Sequence, residues 1–425
     1  MNWTTAPRGL AALAALTLTA LGVASSTANQ GCIYDSSLIA QEQQSQVTPN
    51  CPTTGAGMSA EIPPRPAVSD PSMGVTDLSL VLAMQSVDVG VGVGPDGGLT
   101  TKDGGLILAS SPQPHIGFDL DDACTCCPGG TSSCMQASDA DCDDDAGRDN
   151  TGIKLFRTLQ LTAQMGNQDV DQALSDGLYG IVIQVTGYNG QLNDHDVTVN
   201  VFASNGVALV GDAGPLHNGN DKWTVDPRYV TGGSMMVGTD CELNNGNNCP
   251  ATYSDNGAYV ACGVLVAHPT PSVPFTFGGR AAFGGTEMLL QETNIVGTLQ
   301  PTTVVTGSGI SPSWRMINGS VSGRWKSQDL LSNMATIPDP TSDAGAFICG
   351  GDSIYASLKP FICGLQDIEH THGNDNIGLA CDSISMAFGY TAEPALLGVV
   401  VPIPQQPAGC PGPDGGPFFD TCGAP

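Results

Sequence analysis

Short stretches in which apolar and polar residues alternate follow one another along most of the chain after residue 75. The first covers residues 78–84, and the last covers residues 384–390. A period of two places the apolar side chains on one face of a strand. About a dozen such stretches, separated by Gly, Pro, Asn and Asp, predict an all-β fold.

The spacing of these strands favours an antiparallel two-sheet sandwich of the jelly-roll or lectin-like type, with long disulfide-tied loops. The order of elements is similar to lectin and laminin-G jelly rolls, a likeness of fold that implies no function. Helical periodicity at 151–165, and shorter segments at 328–334 and 353–358, predict short helices. The pattern Gly92–Gly97 (GVGPDG) matches a dinucleotide-binding loop, but a strand follows it, so a hairpin turn is predicted.

The N-terminus predicts export. Arg8 precedes an apolar run at 10–24 that is too short for a good spanning helix, and Ser26-Thr27-Ala28 fits a signal-peptidase cleavage site. The alternative is a lipid anchor at Cys32, which follows Gly31. The predicted location is secreted, whether extracellular, periplasmic or on the outer-membrane surface.

Changes in composition predict the domain organisation. Residues 29–72 are rich in Gln, Ser, Thr and Pro and have no hydrophobic period, so a flexible tether is predicted there. The predicted organisation is a signal peptide (1–28), the tether (29–72), a single large β-sandwich domain (73–400) and a Pro/Gly-rich tail (401–425). In the tail, a disulfide between Cys410 and Cys422 is predicted.

The charge balance restricts the partners. The chain has 13 Lys and Arg against 41 Asp and Glu, a net charge of −28. Such a surface repels nucleic-acid phosphates and anionic lipid headgroups. Cations are the natural partners, followed by neutral ligands such as carbohydrate on a cell-surface component. A charge that only maintains solubility is the alternative, and no stretch after the leader has the ~18 apolar residues of a membrane helix.

Cysteine usage supports export, because 15 cysteines in an exported chain predict a disulfide framework. Adjacent Cys126 and Cys127 are predicted to bond to different partners, since a vicinal disulfide is strained. The odd count leaves one cysteine over. Acylation of Cys32 would leave an even number; otherwise Cys32 pairs with Cys51 and a free thiol remains elsewhere.

The acidic segment 117–150 is the first candidate metal site. Asp139, Asp141, Asp143 and Asp145 place a carboxylate at every second residue, and calcium needs several oxygen donors around one ion. The segment does not match an EF-hand loop. The alternative is a solvated acidic loop held by disulfides.

The second candidate is a zinc site in the segment EHTHGND. Its ligands would be Glu369, His370, His372 and Asp375, with the two histidines on one face of a strand. A polar surface turn is the alternative.

Hydrolase motifs are weak in this chain. Ser353 lies in a GDS sequence and residues 367–370 read D-x-x-H, as in SGNH-type esterases, but their close spacing in an all-β chain indicates chance. Paired acids for glycoside hydrolysis remain open, and Glu287 and Glu292 are the glutamates in or beside predicted core strands.

Four stretches carry a resemblance: GFDLDDACTC, CDDDAGRDN, GYNGQLND and NGSVSGRW. With them the chain resembles a group of uncharacterised exported bacterial proteins, many with lipoprotein-like leaders, from about Val75 to Leu397. The resemblance implies export and one large domain. The sequence thus predicts an exported binding or structural module, calcium-supported and carbohydrate-binding; the alternative is a secreted glycan-acting hydrolase on a jelly-roll scaffold.

Overall fold

The computed structural model describes most of the chain from residue 61 onward. The described residues are 61–67, 77–89, 92–93, 99–100, 116–136, 142–143, 147–163, 172–208, 214–242, 248–276, 287–306, 309–337, 339, 347–373, 376–402, 409–412, 414–416 and 418–423. The predicted signal peptide, Cys32 and the larger part of the predicted tether lie outside them.

Strands dominate the described residues. In chain order, β1 to β13 are Leu78–Asp88, Gly92–Val93, Leu99–Thr100, Gly180–Tyr188, Asp194–Ser204, Lys222–Val225, Tyr253–Ala261, Val264–Ala267, Val273–Thr276, Glu287–Thr306, Gly309–Lys326, Ser383–Pro394 and Leu396–Val400. The α-helices with described bounds, α1 to α3, are Gly152–Ala163, Ser327–Asn333 and Ser353–Gly364. Short 3₁₀ turns are Pro227–Tyr229, Gly233–Met236 and Met334–Thr336.

Eight antiparallel strands form one sheet that closes on itself into a barrel. The neighbours in order are β11, β12, β1, β4, β5, β7, β8 and β10, and β10 pairs again with β11. The ring closes because β10 and β11, of 20 and 18 residues, are long enough for each to pair with strands on both of its sides. The all-β prediction with short helices is confirmed. The two-sheet jelly-roll sandwich is not confirmed, since one continuous sheet forms the ring.

Apolar side chains fill the described core. Leu82, Ile183, Val199 and Ile295 come from four strands and are fully buried. Both faces of β4 are buried, and Gly180 at its start lies against the Trp223 ring of β6, where a Cβ would lie 2.6 Å from the ring. A glycine is needed there because the two elements approach so closely.

Two turn predictions had different outcomes. Gly92–Val93 pairs antiparallel with Leu99–Thr100, as expected of a hairpin. The dipeptide Asn318-Gly319, whose sequence is typical of a two-residue hairpin turn, is instead an irregularity inside β11, where Asn318 has a φ of +49° and the register with β12 shifts. A left-handed residue can turn a chain or make a bulge, and here the Tyr390 ring lies against Gly319 in an uninterrupted sheet.

Disulfides connect distant parts of the described chain. The pairs are Cys124–Cys127, Cys126–Cys142, Cys134–Cys381, Cys241–Cys249, Cys349–Cys410 and Cys363–Cys422, and Cys262 is disulfide-bonded as well. Cys126 and Cys127 have different partners, as predicted. The predicted Cys410–Cys422 loop is wrong: each tail cysteine bonds to a residue flanking or within α3, which ties the tail to the domain.

Part of the predicted tether contacts the barrel. Ile62 packs against the small apolar cluster formed by β7, β8 and their neighbours. The Tyr259 hydroxyl donates to Pro63 O (2.6 Å), and the Arg65 guanidinium lies 5.0 Å from the centre of the Tyr259 ring. In the part of the chain described, no helix is long and apolar enough to cross a membrane.

Candidate metal centre

The two flanks of the acidic segment pair with each other beside β12. Asp149 N–H donates to Phe118 O (3.0 Å), and Asn150 Nδ2 donates to Ile116 O (3.1 Å). Asn150 Oδ1 accepts from Ala387 N–H of β12 (3.0 Å), which fixes the segment to the barrel. Gly117 has a φ of +107°, and a Cβ there would lie 2.8 Å from Ala387 Cβ. Only glycine suits both demands.

Three carboxylates meet at these flanks. One oxygen from each of Asp119, Asp121 and Asp149 lies within 4.8 Å of the others. Leu120, which lies between two of them, packs against the small apolar cluster of the barrel. Asp149 is 2% exposed and Asp121 is 8% exposed. The three residues are called the carboxylate cluster below.

The electrostatics of the carboxylate cluster are unfavourable for three bare anions. The pKa of Asp119 is raised to about 6; burial is the largest cause, the charges of Asp121 and Asp122 contribute, and two backbone hydrogen bonds act in the opposite direction. Burial also raises the pKa of Asp149 well above its ordinary value, and the charges of Asp121, Asp143 and Asp367 add to the effect. The neighbouring charges that raise these pKa values are themselves carboxylates, so a cation would stabilise the cluster.

One oxygen of the carboxylate cluster has no hydrogen bond. Asp119 Oδ1 is buried, and no described group donates to it. In contrast, Asp149 Oδ2 accepts from Leu120 N–H (2.6 Å), and Asp121 Oδ1 accepts from Ala123 N–H (3.0 Å). Buried acceptors are ordinarily satisfied, so an orphaned carboxylate oxygen among carboxylates fits a position for a hard cation.

Asp143 is the one described residue of the first predicted metal set. The Cys126–Cys142 disulfide brings it beside Thr125, whose N–H donates to Asp143 Oδ2 (2.6 Å). The pKa of Asp143 is raised to about 7; burial is the largest cause, the hydrogen bond from Thr125 opposes it, and the charges of Asp121, Asp367 and Asp119 contribute to the rise. Asp139, Asp141 and Asp145 lie outside the described residues, as does Asp375 of the second set.

The second predicted set is divided. Glu369, His370 and Asp382 lie close enough to hold an ion. His370 already has a partner in Asp382. Its Nδ1 lies 2.6 Å from Asp382 Oδ2, and its backbone N–H donates to Asp382 Oδ1 (2.8 Å). His372 contacts a different acid: its backbone N–H donates to both carboxylate oxygens of Glu292 (2.8 and 2.9 Å). Residues 369–373 do not form a continuous strand, so the shared face expected of alternating histidines is not present.

Arg324 joins the two predicted regions. This β11 side chain is 1% exposed and donates to Glu369 O (2.7 Å) and to Leu120 O. Its Nε lies 3.1 Å from Glu292 Oε2, and its Nη2 lies 3.3 Å from His372 Nδ1. Arg324 and the groups around it are called the arginine cluster below. The backbone of Leu120 connects the two clusters, because its N–H donates to Asp149 and its C=O accepts from Arg324.

The esterase-like motifs do not assemble. Asp367 accepts from Ser385 N–H (2.8 Å) and Ser385 Oγ (2.5 Å), while His370 pairs with Asp382. Ser353 begins α3, where its carbonyl accepts from Ser357 Oγ (2.9 Å). The residues of the motif thus have separate roles in the fold.

The carboxylate cluster was not among the predicted metal ligands, although its three residues lie in the acidic segment 117–150. The signal was Asp119-Leu120-Asp121, an alternation with one apolar residue between two acids. Comparison with known proteins adds nothing to this site: no protein-family model, curated protein or solved structure matches the chain.

Proposed function

We propose that the chain is an exported binding module whose fold is supported by a calcium ion at Asp119, Asp121 and Asp149. The observation that carries the proposal is the convergence of three carboxylates within 4.8 Å, one of them with a buried, unpartnered oxygen. Calcium takes six to eight oxygen ligands, so backbone carbonyls or water would complete the shell. Asp143, whose charge contributes to the raised pKa of Asp149, is a further carboxylate on the same segment.

The disulfide framework supports the exported part of the proposal. Stable disulfides are typical of oxidising compartments, and 13 described cysteines are disulfide-bonded. Millimolar calcium is common outside cells, and extracellular modules bind calcium with dissociation constants of about 10⁻⁴–10⁻³ M. A site of that affinity would be occupied only after export.

Calcium titration of thermal stability is the direct test. With calcium at about 100 times its dissociation constant, binding adds about 2.7 kcal/mol, which raises the Tm by about 3–8 °C. The shift should disappear with EGTA and in the Asp149→Asn variant. The Asp382→Asn variant is the matched control, because that carboxylate pairs with His370 and is not part of the carboxylate cluster, and it should keep the shift. An unchanged Tm at 10 mM calcium would refute the calcium proposal.

Carbohydrate is the proposed ligand class, with Trp314 as its contact. Trp223 and Trp325 are 1% and 5% exposed, whereas Trp314 is partly exposed and packs edge-on against Tyr188, with ring centres 5.8 Å apart. A partly exposed indole can stack on a sugar ring. Ten residues of β11 separate Trp314 from Arg324, about 33 Å in an extended strand, so the cation would act on stability rather than on the ligand.

A glycan array with purified protein tests this second part. Trp314→Ala should abolish binding to any glycan retained by the parent protein while leaving its calcium response unchanged. Phe419→Ala is the control, because that ring is 62% exposed. A glycan that binds both variants equally would place the ligand elsewhere.

The alternative of a glycan-acting hydrolase has one supporting feature. A carboxyl with a pKa of about 7, as at Asp143, suits a general acid. Calcium would lower that pKa and remove the acid at neutral pH. Glycan hydrolysis that EGTA increases would therefore favour the hydrolase over the calcium-supported module.

A further inference from the structure

An isolated antiparallel bridge at the start of β12 brings an imidazole and two carboxylates together. In this bridge Ser383 N–H donates to Ile368 O (3.0 Å). Glu369 and His370 follow the bridge on one segment, and Asp382 precedes it on the other. One ligand atom from each of these three residues lies within 4.8 Å of the other two. The three residues are called the histidine site below.

Asp382 is oriented by hydrogen bonds to one of its two oxygens. Its Oδ1 accepts from Ser383 Oγ (2.9 Å) and from the backbone N–H of His370 (2.8 Å). Its Oδ2 lies 2.6 Å from His370 Nδ1. The residue before it, Cys381, is tied to Cys134 by a disulfide. Contacts of this kind fix the ligands of metal sites in place, so the geometry of the histidine site does not depend on an exposed, mobile side chain.

The histidine site is buried on one side and open on the other. Glu369 is 7% exposed, whereas the side chains of His370 and Asp382 are 33% and 34% exposed. An ion can therefore reach the site from solvent, and water can complete its shell. Burial raises the pKa of Asp329 on α2, and the charges of Lys326 and His370 counteract that rise. Asp329 is thus a further carboxylate near the imidazole.

The donor set of the histidine site differs from that of the carboxylate cluster. Oxygen donors alone suit calcium, whereas an imidazole suits zinc and similar transition metals. Three protein ligands with one open position are typical of an accessible zinc site. Ligand atoms around tetrahedral zinc lie about 3.3 Å apart. An ion in place of the proton between His370 Nδ1 and Asp382 Oδ2 therefore requires these atoms to separate by about 0.7 Å.

We propose that Glu369, His370 and Asp382 form a second metal site, which takes zinc with water as the fourth ligand. The ion replaces the proton that His370 and Asp382 share, and it joins the two segments of the bridge. His372, a ligand predicted from the sequence, is not one of the set, because its Nδ1 lies 3.3 Å from Arg324 Nη2. The proposal does not depend on calcium binding at the carboxylate cluster.

Isothermal titration of zinc into the full chain without a histidine tag tests the ligand set, with 10 mM calcium present to fill the carboxylate cluster. His370→Ala and Asp382→Asn should each raise the zinc dissociation constant at least about tenfold. His372→Ala is the matched control, two residues further along the chain, and should leave the constant unchanged. An unchanged constant in His370→Ala, or an equal rise in His372→Ala, would overturn the proposal.

Two further measurements separate the histidine site from the carboxylate cluster and do not depend on how the histidine variants fold. Asp149→Asn should leave the zinc dissociation constant unchanged, and a tenfold rise would place zinc at the carboxylate cluster instead. Anomalous diffraction at the zinc edge, from crystals of the parent protein grown with zinc and calcium, should give a peak between Glu369, His370 and Asp382. A zinc peak found only at other residues would refute the site.

Discussion

The backbone of Leu120 contacts both the carboxylate cluster and the arginine cluster, and the two clusters differ in how their charges are compensated. In the arginine cluster, the acid Glu292 faces the Arg324 guanidinium and the His372 N–H. In the carboxylate cluster, the charges nearest to Asp149 are further carboxylates. Buried charges are tolerated when they are paired. The first cluster is therefore complete within the chain, and the second requires protons or a cation from outside.

The largest effect should come from breaking the complete cluster. Arg324→Met removes the donor to two carbonyls and leaves Glu292 without its cation. We expect a loss of about 2–4 kcal/mol in the free energy of unfolding, measured with urea, because the two carbonyls lose their donor, whereas Glu292 is 40% exposed and can be solvated. Arg315→Met is the control on the same strand: that side chain is 42% exposed, and its loss should cost under about 1 kcal/mol. Equal losses in both variants would contradict the assigned role of Arg324.

For the carboxylate cluster, the expected effect is a dependence of the free energy of unfolding on pH. The folded state holds raised pKa values of about 6 at Asp119 and about 7 at Asp143, so between pH 4 and pH 7 it binds protons that the unfolded chain has released. Without calcium, stability should therefore be greatest at the acid end and fall as pH rises through this window. The slope is about 1.4 kcal/mol per pH unit for each such proton.

Urea unfolding in EGTA at several pH values between 4 and 7.5 measures this slope. Saturating calcium should flatten it, because the ion replaces the protons. A stability that rises with pH in EGTA would show that the acids are compensated by groups other than a cation.

Neutralising Asp149 and neutralising Asp382 should change the free energy of unfolding by smaller amounts and in opposite directions. Asp149→Asn keeps an acceptor for Leu120 N–H and removes an acid whose charged form is disfavoured by burial and by the neighbouring carboxylates, so the calcium-free protein should gain stability at pH 7. Asp382→Asn weakens the contact with His370, at 2.6 Å, and should lose about 1 kcal/mol. Both are measured by urea unfolding in EGTA, and a loss in Asp149→Asn would mean that its charge is already compensated.

Local patterns predicted the strands well and their closure poorly. The alternation from Leu78 onward marks β1, whose pairing with β12 has one register shift, between Met84 and Ser86. Alternation identifies which face of a strand is apolar, but it carries no information on which strand lies next to it. The pairing of β10 with both β8 and β11, which closes the ring, depends on contacts far apart in sequence.

The candidate site shows the same limit. Acid density pointed to Asp139–Asp145, whereas the described carboxylates that converge lie before and after that run. Asp149 meets Asp119 because the flanks pair through backbone hydrogen bonds, with Asn150 fixed to β12. Asp382, which precedes β12, pairs with His370, and Arg324 of β11 contacts His372. Such convergence is a property of the folded sheet, and only Asp119-Leu120-Asp121 carried a local signal.

The smallest expected effect is a change in calcium affinity, which tests whether the Leu120 backbone couples the two clusters. Arg324→Lys keeps the positive charge but loses the planar fork that holds Leu120 O and Glu369 O together. A less firmly held Leu120 would position its N–H, and with it Asp149, less well for an ion. We expect the calcium dissociation constant to rise about two- to fivefold, measured by isothermal titration calorimetry, with Arg315→Lys unchanged. An unchanged constant in Arg324→Lys would mean that the carboxylate cluster is positioned by the pairing of its own flanks, and that the arginine cluster serves stability alone.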